Sequence, residues 1–274
     1  MPFQLGDKLI SDRLLQLAGS LSIWRSRYRK AGLLDEDQPD SPLAQHFQSS
    51  KGALRRGAFD IAELEIRNLA AKYMELVDIG KYDPQLLKRL KRRLGTHRLD
   101  DYFGVQCEIS VASMLLRKGL QFTCPDPPDF EISTDAVEQA AYIECTSIHV
   151  EKDSDKMLIY KVGSPINDKK QKEYCNARTA LVVDVTNVMY HSHKNGWNLN
   201  PFAIKERFSD GAANSGFGAV LIFCEVGNLK KLRVETLYSH LAIESPSTEL
   251  QTVLDQCFPD GEYSVTNAVF PRIS

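Results

Sequence analysis

The stretch Ile143-Glu144-Cys145-Thr146-Ser147-Ile148 sets a glutamate in the middle of a run, Ala141 to Val150, that otherwise alternates in character as a β-strand does. Glutamate is depleted in strands, and its flanks here are apolar. Side chains alternate between the faces of a strand, so Glu144, Thr146 and Ile148 share one face and the carboxylate points where a core-facing residue should. A mid-strand glutamate is functional or belongs to an edge strand, and the residues that follow do not read as an edge.

Working outward toward the N-terminus, Asp129 follows Pro127 and Pro128 and opens a strand candidate, Phe130 to Ser133. Two prolines stiffen the approach and define where that carboxylate points. A helix predicted from Asp100 or Asp101 to about Lys118 ends at Gly119 and leads into a strand candidate, Leu120 to Thr123. Within that helix Val111, Ala112 and Leu115 lie three, four and seven positions after Glu108, so a carboxylate sits on the apolar stripe. A buried charge asks for a counter-charge or a metal. The competing explanation is a stripe-edge glutamate paired with Arg117 or Lys118.

Toward the C-terminus, Ser164 and Pro165 read as a cap and first-turn proline for a helix from Pro165 to about Ala177. Ala180 to Val185 and Ala219 to Val226 read as strands buried on both faces. The order helix, strand, strand, strand, helix, strand predicts an α/β domain over 99–274, a mixed central sheet flanked by helices. Residues 1–98 read as mainly helical, with apolar spacing over Leu9 to Tyr28 and Ile61 to Val77 and a polar connection from Leu33 to Gly52.

Glu108, Asp129 and Glu144, gathered at one end of a sheet, would be a hard-oxygen site suited to Mg²⁺ or Mn²⁺. Such an ion activates water and neutralises charge on a leaving oxygen, which suits phosphodiester hydrolysis.

Tyr102-Phe103-Gly104 with Glu108, Lys118-Gly119, Pro128-Asp129-Phe130 and Ile143-Glu144-Cys145-Thr146-Ser147 together resemble the PD-(D/E)xK, or restriction-endonuclease-like, nuclease superfamily over residues 100 to 187. The resemblance implies a restriction-endonuclease-like core in which Glu108, Asp129 and Glu144 bind the metal. It also implies a lysine two residues after the strand glutamate, where this chain has Thr146, which cannot steady an attacking hydroxide or a pentavalent phosphate. Several branches of the superfamily carry that lysine on the following helix. Here Lys170, four after Ile166 and four before Tyr174, is the first candidate, Lys169 the second and Lys161 the third. Gln171 is a further polar residue there, equally at home on the surface.

Other groupings are weaker. His191 and His193 with Asp184 read as loop residues after a strand, without a metal-finger spacing, although Asp184 could support the site from behind. The turn Asn214 to Gly218 precedes a strand, the wrong place for a phosphate loop. Cys145 flanks the acidic face and reads as packing.

The chain's 274 residues, 43% hydrophobic, can bury a sizeable core. Of 34 basic and 36 acidic residues, the first 98 positions hold 18 and 12, leaving 16 and 24 beyond. The helical part is thus the expected contact for backbone phosphates, through Arg25, Arg27, Arg29 and Lys30 and through Lys88, Arg89, Lys91, Arg92, Arg93 and Arg98. Trp24 and Tyr28 read as core contacts before base-stacking platforms. Six scattered cysteines without a C-x-x-C pair, no signal-peptide pattern and no long apolar run make a cytoplasmic, non-membrane protein the expectation. The expected function is a Mg²⁺- or Mn²⁺-dependent endonuclease acting on nucleic acid, DNA before RNA, with a homodimer compatible. The alternative is a catalytically inactive nuclease-fold protein that binds nucleic acid or a protein partner, which Thr146 favours.

Overall fold

The structure is a computed structural model that describes residues 3–35, 38–96, 98–133, 139–259 and 268–269, without the side chains of 3–9, 268 and 269. Two compact units emerge: Met1–Tyr102 with Val226–Glu235 and Thr266–Ser274, and Phe103–Glu225 with Thr236–Val265.

The first unit is built on four helices, α1 (Phe3–Lys30), α2 (Pro42–Arg55), α3 (Phe59–Tyr82) and α4 (Pro84–Leu94). α2 occupies most of the segment expected to be a polar connection. Ser41 and Pro42 are its N-cap and first residue, the Ser41 hydroxyl accepting from the Ala44 N–H, and Leu43, Phe47 and Leu54 give it a buried stripe. Ser-Pro is a helix start as readily as a turn, and here the apolar spacing that follows decides. Tyr28 is buried, donates to the Leu69 carbonyl at 2.8 Å and meets Phe47 and Tyr73 edge-on, while Trp24 packs on Tyr73. Tyr28 is therefore a core contact, whereas Trp24 is half-buried and carries the Arg27 guanidinium over its ring at 4.6 Å. In α4 the leucines 86, 90 and 94 are buried, and Asp83 caps the start. Lys88 and Arg92 are exposed, whereas Arg89, Lys91 and Arg93 are half-buried and the Lys91 ammonium donates to the Ala31 carbonyl at 2.8 Å. The basic face is narrower than its composition suggests.

The second unit is mixed α/β. α5 (Leu99–Arg117), which begins in the first unit, leads through Gly119, whose φ of +72° ends it, to β1 (Gln121–Thr123), β2 (Phe130–Ser133) and β3 (Ala141–Ser147). Then come α6 (Asp155–Lys169), β4 (Thr179–Asp184), α7 (Thr186–Asn195), α8 (Glu206–Ala212), β5 (Ala219–Asn228), β6 (Arg233–Ile243) and α9 (Thr248–Cys257); the end of β5 and the start of β6 belong to the first unit, as does β7 (Ala268–Val269), which pairs with Gly227 and Asn228. The sheet runs β1-β2-β3-β4-β5-β6. β1, β2 and β3 are antiparallel neighbours, and β3, β4 and β5 are parallel. Every residue of β4 is buried, as its apolar run requires.

Two expectations on this side are corrected. The helix after β3 starts ten residues before Pro165, at Asp155, because Ser154 caps it by accepting from the Met157 N–H; Pro165 lies inside the helix and Lys170 caps its end. The residues from Gln171 to Ala177 form turns instead of helix. His191 and His193 lie on α7 and not in a loop, the helix ending at Gly196 with φ +68°. Among the described residues no helix is long and apolar enough to cross a membrane.

His46 on α2 is buried, its Nε2 has no hydrogen-bond partner, and burial pushes its pKa from 6.5 down to about 4. An unfolded chain binds that proton below pH 6.5 and the folded chain does not, so stability contributed by the neutral ring is full above pH 6.5 and is lost as pH falls toward 4. The difference reaches about 3 kcal/mol. His46→Leu should therefore flatten urea-unfolding stability against pH between 6.5 and 4; curves that stay parallel to wild type would refute this source of acid sensitivity.

Candidate active site

The site is assembled from α5, the start of β2, β3 and the end of α6. On α5, Glu108 is 4% exposed and continues a stripe in which Val111, Ala112 and Leu115 are fully buried. The helix is held over the sheet by a chain of polar contacts. Asp184, at the end of β4, accepts from the Thr186 N–H at 2.8 Å and hydroxyl at 2.5 Å; the Thr186 oxygen accepts from the Glu225 N–H at 3.0 Å; and Ser110, two residues after Glu108, donates to Glu225 at 2.5 Å. A turn in which an aspartate accepts from the N–H two residues on is legible in Asp184-Val185-Thr186. Its link to α5 is not, because Ser110 and Glu225 are 115 residues apart.

Asp129 precedes the first β2–β3 pair, Phe130 with Ile143, so the register carried back one step sets it opposite Glu144. Its Oδ2 accepts from the Cys145 N–H at 2.7 Å. Burial first, then the charges of Glu108 and Glu144, push the Asp129 carboxyl up to about 7, against the opposing pull of that N–H and of Lys169. Glu108, Asp129, Glu144 and Lys169 thus share one electrostatic neighbourhood.

Strand alternation decides how they meet. Ser147 lies against α5, with a Cβ built on Gly104 only 3.6 Å from its own, and Cys145, on the same face, is hydrogen-bonded to the Cys107 thiol of α5, both cysteines being free. Glu144 belongs to the other face, where the Lys169 ammonium is ion-paired with Oε1. Its Oε2 is buried, and the Tyr174 phenol stands within hydrogen-bonding reach of the carboxylate: burial first, then the Glu144 charge and that hydrogen bond, raise the phenol's pKa. Glu108 approaches Asp129 from the α5 side and Glu144 from the α6 side. As the chain stands, no three His, Cys, Asp or Glu side chains among the described residues group closely enough to hold one ion. Carboxylate oxygens are the donor chemistry that suits a hard divalent cation, but among the described residues they do not group around one point.

The lysines sort clearly. Lys169 reaches Glu144, while Lys170 is exposed and donates to Asn167 at 2.9 Å, the reverse of their expected order. Leu158, Val162 and Ile166 are the buried residues of α6. At about 100° per residue, Lys169 falls about 20° from the centre of that stripe and Lys170 about 80°. Spacing to Tyr174 misled, since Tyr174 is past the helix. Lys161 is half-buried on α6, and Gln171 is exposed.

The histidine set is not brought together: His191 packs edge-on against His149 with ring centres 4.4 Å apart, His193 is exposed, and Asp184 holds Thr186. His149 in turn contacts the Asn187 amide oxygen at 3.2 Å. Tyr174 was not visible as a site residue, because only the turns after α6 bring it to Glu144. Burial pushes the Cys107 thiol up to about 12, and Cys145 is raised as well, so neither is a nucleophile.

Asp129 gives a pH dependence of the opposite sign to His46. A carboxyl raised from 3.8 to about 7 contributes stability that is complete below pH 3.8 and lost as pH rises through 7. Asp129→Asn, which still accepts from Cys145, should raise the unfolding free energy from urea titration at pH 8 by on the order of 2 kcal/mol and leave it unchanged at pH 4. A variant less stable than wild type at pH 8 contradicts that reading of the acid crowding. No family model matches this chain, and none of the curated proteins or solved structures compared with it matches either.

Proposed function

We propose that this chain is a divalent-cation-dependent nuclease of restriction-endonuclease-like type, acting on DNA before RNA. What carries the reading is the convergence on Asp129 of two further buried carboxylates and a lysine, Glu108, Glu144 and Lys169, an arrangement that opposes folding at neutral pH. Charges crowded at the expense of stability mark functional sites. The order α5-β1-β2-β3-α6-β4, antiparallel and then parallel, supports the same reading.

A bound Mg²⁺ or Mn²⁺ would lower the pKa of a water and neutralise charge on the phosphate. The chain's own residues do the rest. Glu108, Asp129 and Glu144 supply the oxygens that would hold the ion. Lys169 enters on the Glu144 face, which also carries Thr146, and can set its ammonium against a non-bridging phosphate oxygen. Exposed Arg25, Arg29, Lys30, Lys88 and Arg92 of the helical unit suit backbone phosphates.

A second reading has one observation in its favour: the Glu144–Lys169 ion pair is already closed, as in a silent relative that keeps the fold to bind nucleic acid or a protein. Plasmid nicking separates the two. Supercoiled DNA with Mg²⁺ or Mn²⁺ should be cut by wild type and by Lys170→Ala within about twofold of each other, about 10²-fold or more slowly by Lys169→Ala, and not detectably by Glu144→Gln. DNA binding without cutting by wild type would favour the silent relative.

A further inference from the structure

We propose that Lys169 is a built-in counter-ion that a divalent cation must displace from Glu144, so that metal binding by this chain is held down by its own ammonium until substrate draws the lysine away. The inference rests on the nuclease reading and adds a regulatory step to it. Two observations carry it. The Glu144 side chain is 7% exposed and Lys169 22%, so the ammonium enters a largely dry site to reach Oε1. In such surroundings a divalent ion placed beside it meets strong like-charge repulsion. Lys169 is also the last residue of α6, followed by the turn in which Lys172 donates to its carbonyl, so its arm leaves from a helix end and needs only side-chain rotation to swing outward. A phosphate group is the natural acceptor for the displaced ammonium. Metal and phosphate would then bind cooperatively, each favouring the state in which Lys169 has left Glu144.

The test measures Mn²⁺ binding without nucleic acid, by the loss of free-ion electron paramagnetic resonance signal, for wild type, Lys169→Met and Lys170→Met. The expected result is at least tenfold tighter binding by Lys169→Met and a change below twofold for Lys170→Met. Binding by Lys169→Met that is equal to or weaker than wild type overturns the proposal. In the wild-type chain, which avoids any folding defect of the variant, acylation of Lys169 by an amine-reactive ester, read by peptide mass spectrometry, should rise at least threefold on adding saturating Mg²⁺ while Lys170 stays constant; an unchanged Lys169 also overturns it. Failure of both wild type and Lys169→Met to bind Mn²⁺ would remove the nuclease reading and this inference together. A wild type that binds Mn²⁺ and cuts DNA, with no gain in Lys169→Met, would remove this inference alone.

Discussion

Carboxylate burial is the constraint on which the α/β unit depends. Glu144 stands inside a sheet and Glu108 inside a helix stripe, and both are nearly inaccessible to water. Neither position is stable for a bare charge, because desolvation of an ion exceeds what packing returns. The fold answers with local counter-measures: a lysine for Glu144 and a backbone N–H for Asp129, whose carboxyl also holds a proton up to about pH 7. Behind them, the Asp184–Thr186–Glu225–Ser110 chain ties α5, which carries Glu108, to the end of β4 and to β5. Polar groups buried in such a chain hold one arrangement, since any slip leaves several of them unsatisfied at once.

The two units carry buried ionisable groups of different meaning. His46 sits in the helical unit with no charged neighbour among the causes of its shift; burial alone lowers it, as for any imidazole sealed in an apolar core. Asp129 is displaced by burial and by two other acids together. A fold selected only for stability would have no use for the second situation, which replacing one acid by an amide would relieve. That contrast, more than the depth of burial, separates a packed polar residue from a candidate site.

Much of this was legible along the chain, and the misses share a cause. The α5 stripe, Gly119, the strands around Asp129 and Glu144, and the buried β4 run all follow from periodicity and turn residues acting over a few positions. Ser41-Pro42 and Ser164-Pro165 look alike as capping pairs, yet the first starts a helix and the second lies inside one that Ser154 had already started. Pairs of residues identify a boundary only together with the apolar spacing on each side. α7 was lost for a similar reason: Val188, Met189 and Tyr190 continue the apolar character of β4, and only Gly196 marks where the helix stops. What could not be read were contacts set by tertiary packing, among them Ser110 with Glu225 and Tyr174 beside Glu144.

Thr146 poses the sharpest question, and geometry bears on it. A lysine on β3 two residues after Glu144 would share its face and rise from the same rigid strand. Lys169 instead approaches that face from the terminus of a helix, on an arm of four methylenes whose last helical turn precedes a series of tight turns. A strand lysine is fixed in the plane of the carboxylates; a lysine at a helix end has alternative positions at little conformational cost. Where a lysine at position 146 would be a fixed charge, Lys169 is a movable one. With Glu144 the nearest anion when nothing else is bound, the ion pair is where such a lysine rests. An anionic phosphate, with more charge and more acceptor oxygens than one carboxylate, is what would draw it off.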